Sequence, residues 1–186
     1  MMRRNLVLIG FMGTGKTTVG KLCARELDYA FCDSDAEIVQ RAGKSIPEIF
    51  ADEGEEAFRQ YERETIADLA AQEGLVIATG GGAVLDSVNA EVLRETGTVV
   101  LLTAAPFVVL RRVGDARTRP LLASSDEDPK ARIIALLRER RPLYERAAHF
   151  RVDTTHFSKN TIVEQIVERF QQREQGTGNR EQNNAL

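Results

Sequence analysis

A glycine-rich loop near the start of the chain carries a lysine and a threonine at the spacing used to bind phosphate. The apolar run at 5–9 leads into GFMGTGKT, from Gly10 to Thr17, which fits the pattern G-x-x-x-x-G-K-[ST]. Glycines allow backbone N–H groups to surround an anion closely, and the following helix N-terminus adds partial positive charge. In this pattern Lys16 can reach the β- and γ-phosphates and the Thr17 hydroxyl can bind Mg²⁺. The alternative is a simple glycine-rich turn, but the flanking strand and helix favour a nucleoside triphosphate site.

Two aspartates follow the second apolar run of the chain. Asp33 and Asp35 flank Ser34 at the end of a predicted strand. A phosphoryl-transfer site needs a carboxylate for Mg²⁺ or its waters and a group that orients or deprotonates the nucleophile. Two carboxylates two residues apart could fill both roles. Alternatively, Ser34 or Asp35 caps a helix that begins at Ala36.

A second candidate cluster combines an arginine on a helix with a run of three glycines. Arg59 lies three residues before Glu62 and four after Glu55, so it could pair with them in a solvated ion-pair face. It could instead be oriented by Glu62 to bind a substrate carboxylate. The run at 80–82 follows a strand and could place backbone N–H groups against a ligand, or form a flexible turn.

Further arginines lie in the second half of the chain. Arg117 and Arg119 fall in a polar segment at 114–129, which reads as a mobile loop whose arginine could close over the phosphates. Arg140 and Arg141 precede Pro142, which is expected to break a helix. One of this pair could turn inward, and both could equally be exposed.

The pattern along the chain predicts the elements that position these residues. Short apolar runs at 5–9, 30–32, 75–78, 99–103 and 150–152 alternate with helical periodicity. Alternation of this kind favours an α/β fold with a parallel central sheet of about five strands flanked by helices. Ligands bind at the carboxyl ends of such strands, where the phosphate loop falls. A short helix starting at Pro47 forms an insertion at 43–54.

Composition limits the class of protein. The 186 residues are 42% hydrophobic and 28% charged, as expected for one soluble domain, and the net charge of −3 argues against a nucleic-acid surface. No stretch approaches the roughly 18 apolar residues of a membrane span, and no signal sequence is recognised, so we expect a cytoplasmic protein. The tail at 171–186 lacks apolar periodicity and is expected to be disordered. We expect a monomer, because no apolar helix face is left over.

Taken together, these segments resemble those of the shikimate kinases, small P-loop kinases with an NTPase-type sheet, a substrate-binding insertion and a mobile lid. The resemblance covers most of residues 5–170. The matching segments are GFMGTGKTT at 10–18, DSD at 33–35, SIPEIF at 45–50, EEAFRQYE at 55–62, TGGGAV at 79–84, RPLL at 119–122, RRPLYERAA at 140–148 and RVDT at 151–154.

The resemblance implies phosphoryl transfer from ATP to the 3-hydroxyl of shikimate. It implies a single kinase domain at 1–170, with a substrate region at about 33–62 and a lid at about 112–125. The implied catalytic residues are Lys16, Asp35 and Arg119, and the implied Mg²⁺ ligands are Thr17 and, through water, Asp33. The nucleotide would be bound by Gly13, Thr14, Gly15, Lys16, Thr17, Thr18, Arg119 and, against the adenine, Arg112. Shikimate would be bound by Asp35, Arg59, Gly81, Gly82 and Arg140, where Arg140 rather than Arg141 fits the family pattern R-x-P-L-Y.

Other functions fit parts of the sequence. A gluconate kinase or a nucleoside monophosphate kinase would share the fold. A nucleotide-dependent switch is a further class, but the guanine-reading element N-K-x-D is absent from the sequence. A catalytically silent relative would bind nucleotide without turnover.

Overall fold

Five parallel strands form the centre of the molecule. The computed structural model describes residues 4–113 and 129–183, with side chains described for 4–113 and 130–176. The order across the sheet is β2-β3-β1-β4-β5. The strands are β1 (Asn5–Ile9), β2 (Ala30–Asp33), β3 (Leu75–Ala78), β4 (Gly97–Thr103) and β5 (Phe150–Asp153). All five predicted strands are confirmed. The three central strands, β3, β1 and β4, are continuously buried, as is typical of strands covered on both faces, whereas β2 and β5 at the edges are partly exposed.

Helices cover both faces of the sheet. They are α1 (Lys16–Leu27), α2 (Ser34–Ala42), α3 (Ile46–Asp52), α4 (Gly54–Ala70), α5 (Ser87–Thr96), α6 (Pro106–Val113), α7 (Pro129–Ala147) and α8 (Lys159–Asn183), with a 3₁₀ turn at Ala83–Leu85. Leu6 and Leu8 of β1 point into the core beneath α1 and α8. Val7 and Ile9 point into the opposite core, which α4, α5 and α7 cover. One strand therefore feeds two apolar cores by alternating its side chains.

The strand order places the phosphate loop at a reversal of the sheet. β1 pairs in parallel with β3 on one side and with β4 on the other. The chain thus builds one half of the sheet and then crosses to the other, and the loop after β1 lies at this crossing. In open α/β sheets the crevice at such a switch point is where ligands bind.

A small third core supports the insertion between β2 and β3. Ile38, Ile49 and Phe58 are buried together where α2, α3 and α4 meet. The short predicted helix is confirmed as α3: Ser45 accepts from the Glu48 N–H, the Glu48 carboxylate returns to the Ser45 N–H, and Pro47 stands in the first turn. The insertion is therefore a packed helical unit.

Two predictions about helix ends are wrong. Pro142 does not break the helix, since α7 continues through it. Pro142 has no N–H to donate to the Arg138 carbonyl, so one helix hydrogen bond is lost. Both residues lie on the exposed side of α7, where water can replace that bond.

The tail at 171–186 is also not disordered throughout, because α8 extends to Asn183. The Gln172 side chain donates to Glu168 at 3.1 Å, and Glu174 pairs with Arg4 at 3.8 Å. Pairs four residues apart and a contact to the chain start support the added turns.

Among residues 4–113 and 129–183, no helix is both long and apolar enough to cross a lipid bilayer.

Candidate active site

The phosphate loop has the backbone conformation that its glycines predict. Gly10, Gly13 and Gly15 have φ angles of 137°, 74° and 98°, a region that other residues rarely adopt. A Cβ atom on Gly10 would collide with the carbonyl oxygen of Leu102 in β4. All three positions therefore favour glycine for the turn, and Gly10 needs it also for close packing against the sheet.

Side chains of the loop are held by the loop's own carbonyls. The Lys16 ammonium donates to the carbonyls of Gly10 at 2.7 Å and Phe11 at 3.0 Å. Thr14 is buried and its hydroxyl donates to Phe11 at 2.7 Å, whereas Thr17 and Thr18 are exposed at the start of α1. Lys16 is thus folded over the loop in which a phosphate would sit.

The first aspartate after β2 links the phosphate loop to α2. The Thr17 hydroxyl donates to Asp33 Oδ2 at 2.9 Å, and the Asp35 N–H donates to Asp33 Oδ1 at 3.2 Å. Helix α2 begins at Ser34 rather than at Ala36, and Asp33 is its N-cap. The expectation that Ser34 or Asp35 supplies the cap is therefore wrong. Asp33 both caps a helix and faces the threonine of the phosphate loop.

The three-glycine loop brings the second aspartate and Arg59 to one place. The Gly80 N–H donates to the buried Ser34 hydroxyl at 3.0 Å, and a Cβ on Gly80 would collide with the Asp35 carboxylate. A Cβ on Gly82 would lie 3.1 Å from Arg59 Nη1. A side chain at Gly80 or Gly82 would displace the Asp35 carboxylate or the Arg59 guanidinium, so both positions need glycine for steric reasons.

Arg59 is oriented by carboxylates on its own helix. Its Nη1 donates to Glu62 at 2.7 Å and its Nη2 to Glu55 at 3.2 Å. Only 2% of Glu62 is exposed. Burial raises the pKa of Glu62, and the ion pair with Arg59 opposes that effect. The ion pair is thus partly buried, whereas spacing alone favours a solvated pair.

Arg140 is buried without a carboxylate partner among the described residues. It is 7% exposed, and its Nε and Nη1 atoms find no hydrogen-bond acceptor in the described part of the chain. Its guanidinium lies over the Phe11 ring, 5.9 Å from the ring centre. The neighbouring Arg141 is exposed and pairs with Glu145 at 2.8 Å. Of the two candidates, the inward-facing arginine is Arg140.

Arg112 joins the phosphate loop to the end of β5. It donates to the Gly13 carbonyl at 3.3 Å, and to the Thr154 carbonyl and hydroxyl at 2.8 and 3.0 Å. The guanidinium therefore stabilises the loops beside the nucleotide site. The lid candidates Arg117 and Arg119 lie outside the described residues.

Three hydroxyl groups of the site were not predicted. Ser34 accepts from Gly80, Tyr144 donates to the Gly81 carbonyl, and Thr154 donates to the Thr14 carbonyl at 3.0 Å. Each belongs to a segment that carries the resemblance. Their partners are remote in sequence, so residue type and spacing gave no signal for these contacts.

Comparison with known proteins identifies the family to which the chain is similar. The family model described as shikimate kinase matches residues 12–171. A shikimate kinase from Dechloromonas aromatica (strain RCB) is 46% identical over 168 residues, which cover 90% of this chain and 91% of the relative. The solved shikimate kinase from Acinetobacter baumannii in complex with shikimate is 38% identical, with a TM-score of 0.83 and coverage of 89% and 92%. A gluconokinase from Sinorhizobium meliloti 1021 is 16% identical, with a TM-score of 0.59 and coverage of 96% and 98%, a likeness in fold alone.

Proposed function

The chain belongs to the shikimate kinase family, and we propose that it transfers the γ-phosphoryl group of ATP to the 3-hydroxyl of shikimate, giving shikimate 3-phosphate and ADP. The observation that carries the proposal is Arg140, buried beside the phosphate loop with two nitrogens lacking partners among the described residues. A buried charge is costly unless it is paired. The carboxylate of a small anionic polyol would supply the missing partner.

The nucleotide site is the loop from Gly10 to Thr17. Its glycine conformations and the N-terminus of α1 support binding of the ATP phosphates. On this proposal Gly13, Gly15, Thr14 and Thr18 contribute to the phosphate cradle.

Lys16 and two arginines complete the proposed nucleotide site. Lys16 would exchange its bonds to the loop carbonyls for the transferred phosphate, which stabilises charge as it develops. Arg112 would lie against the adenine while it keeps the adjoining loops in place. Arg119, outside the described residues, is proposed to reach the phosphates when the lid closes.

Thr17 and Asp33 are the proposed magnesium residues. They offer a hydroxyl and a carboxylate oxygen, the donor types that Mg²⁺ prefers, and they already face each other at 2.9 Å. We propose that Thr17 binds the ion directly and that Asp33 holds it through water. The bound ion would neutralise charge on the β- and γ-phosphates.

The acceptor site is proposed to lie around the three-glycine loop. Arg59 and Arg140 would bind the shikimate carboxylate, and the backbone of Gly81 and Gly82 would close on the ring. Asp35, in contact with Gly80, would bind substrate hydroxyls and accept the proton of the attacking one. Since little covalent work falls to the protein in phosphoryl transfer, positioning of these groups should account for most of the rate.

We propose one kinase domain over residues 1–170, with a substrate region at about 33–62 and a lid at about 112–125. We propose that it works as a monomer in the cytoplasm, without a nucleic-acid or membrane partner.

The proposal is tested by ADP release from MgATP with shikimate, gluconate, AMP or no acceptor. We expect only shikimate to raise the rate above the acceptor-free rate. A rise with gluconate or AMP instead would overturn the acceptor site while leaving the nucleotide site intact. ATP binding without turnover on any acceptor would favour a silent relative.

A further inference from the structure

Tyr144 connects α7 to the three-glycine loop. It is 4% exposed, and its hydroxyl donates to the carbonyl of Gly81. Burial raises the pKa of Tyr144, and the nearby Arg140 guanidinium lowers it in part. The phenol is therefore protonated at neutral pH and remains a donor to the carbonyl.

The bond from Tyr144 holds the middle of this loop from outside. The Gly80 carbonyl accepts from the Ala83 N–H at 3.3 Å, and the Gly82 carbonyl accepts from the Leu85 N–H at 3.0 Å. Both are local turn bonds. The Gly81 carbonyl instead accepts from a side chain 63 residues away in sequence. Tyr144 thus fixes the loop relative to a different helix.

The loop so held lies against both proposed halves of the acceptor site. A Cβ atom on its first glycine would collide with the Asp35 carboxylate, and one on its third would lie 3.1 Å from Arg59 Nη1. Arg140 lies four residues before Tyr144 on α7, so the two side chains share one side of that helix. A shift of the loop would change the distance from Arg140 to the other acceptor groups.

We infer that Tyr144 is a positioning residue for the acceptor, which fixes the Gly81–Gly82 backbone relative to Arg140 without touching substrate itself. The inference rests on the proposed function. Because the phosphate loop is held by its own carbonyls and by Thr154, loss of the Tyr144 hydroxyl should leave ATP binding unchanged. A positioning role predicts weaker binding of shikimate alone, whereas a general loss of stability would weaken the binding of both shikimate and ATP.

The test is Tyr144→Phe, which removes one oxygen atom and keeps the ring. A net hydrogen bond contributes about 0.5–1.5 kcal/mol, so we expect the KM for shikimate to rise about 2- to 12-fold. The KM for ATP should stay within about twofold, because the phosphate loop is held by its own carbonyls and does not depend on Tyr144. Isothermal titration with shikimate should show a matching rise in Kd.

Tyr29→Phe is the matched control. Tyr29 precedes β2, at the amino ends of the strands, whereas the site lies at their carboxyl ends. It packs edge-on against Phe170 with ring centres 6.0 Å apart. The same atom is removed there, and neither KM should change.

An unchanged shikimate KM in Tyr144→Phe, or an equal rise in both KM values, would overturn the inference. A Tyr144→Phe chain that fails to fold would also overturn it, because the residue would then serve the core rather than the site. If the unaltered chain shows no shikimate-dependent turnover, the proposed function fails, and the Tyr144 inference fails with it. If the unaltered chain turns over shikimate and the Tyr144→Phe variant has the same KM values, the Tyr144 inference is rejected and the proposed function stands.

Discussion

Replacement of Arg140 by methionine should affect substrate binding and protein stability in different directions. Methionine retains an extended apolar side chain but removes the guanidinium. Arg140 is 7% exposed, and two nitrogens of its guanidinium have no acceptor among the described residues. Its removal therefore relieves a desolvation cost and loses the contact with the Phe11 ring, which lies 5.9 Å from the guanidinium.

The size of each effect follows from these contacts. A charge-assisted hydrogen bond contributes about 1.5–3 kcal/mol, so loss of one bond to the shikimate carboxylate should raise the KM about 10- to 150-fold. The contact with Phe11 contributes about 2 kcal/mol, whereas an unpaired buried ion costs several kcal/mol. The free energy of unfolding without ligand should therefore not fall.

The assay is initial-rate kinetics at saturating MgATP, combined with urea unfolding of the free protein. The kcat should change little, because the carboxylate is remote from the transferred phosphate and this interaction is the same in ground and transition states. Arg141→Met is the matched control, since Arg141 is exposed and paired with Glu145, and its shikimate KM should stay unchanged. An Arg140→Met variant with an unaltered shikimate KM would refute the reasoning, as would an Arg141→Met variant with the larger effect.

Three further predictions address other residues. Asp35→Asn should lower kcat by about 100-fold or more with the circular dichroism spectrum unchanged, because the proposed proton acceptor is lost; near-normal turnover would remove Asp35 from that role. Arg59→Lys should mainly raise the KM for shikimate, since an ammonium lacks the planar pair of donors, and an unchanged KM would exclude Arg59 from the carboxylate site. His149 accepts from the Val99 N–H at 2.9 Å, and burial lowers its pKa from 6.5 to about 4, with nearby arginine charges adding to the shift. The unfolded chain then binds the proton more readily, so the stability due to His149 is fully present above pH 6.5 and is lost as the pH falls towards 4. Urea unfolding should show that the free energy of unfolding falls less between pH 7 and pH 5 in His149→Asn than in the unaltered chain. An equal fall in both would contradict this.

The sheet and most helices could be predicted because single segments determine them. The run Leu6–Ile9 is short and apolar without interruption, which is typical of a strand covered on both faces. The helix through Pro142 was missed because its continuation depends on which side of α7 faces water, which tertiary packing decides.

The site was predictable in its charged residues and less so in its hydroxyl groups. Lys16 lies in a local pattern whose chemistry is evident from spacing. Asp33 and Arg59 were named as candidates, but spacing alone left a helix cap and a solvated ion-pair face open as alternatives. The donation from Tyr144 to Gly81 depends on how α7 packs over the loop after β3, which no local pattern records. The burial of Arg140 rather than Arg141 likewise depends on that packing.

Phosphorus NMR of the product tests directly which hydroxyl of shikimate receives the phosphoryl group. The chain would be incubated with MgATP and shikimate. The new phosphoester would be located by the coupling of its phosphorus to the ring protons of shikimate. We predict one ester, coupled to the proton on C3 and formed in equal amount to ADP. Release of inorganic phosphate without an ester, or an ester at another hydroxyl, would contradict the proposed function.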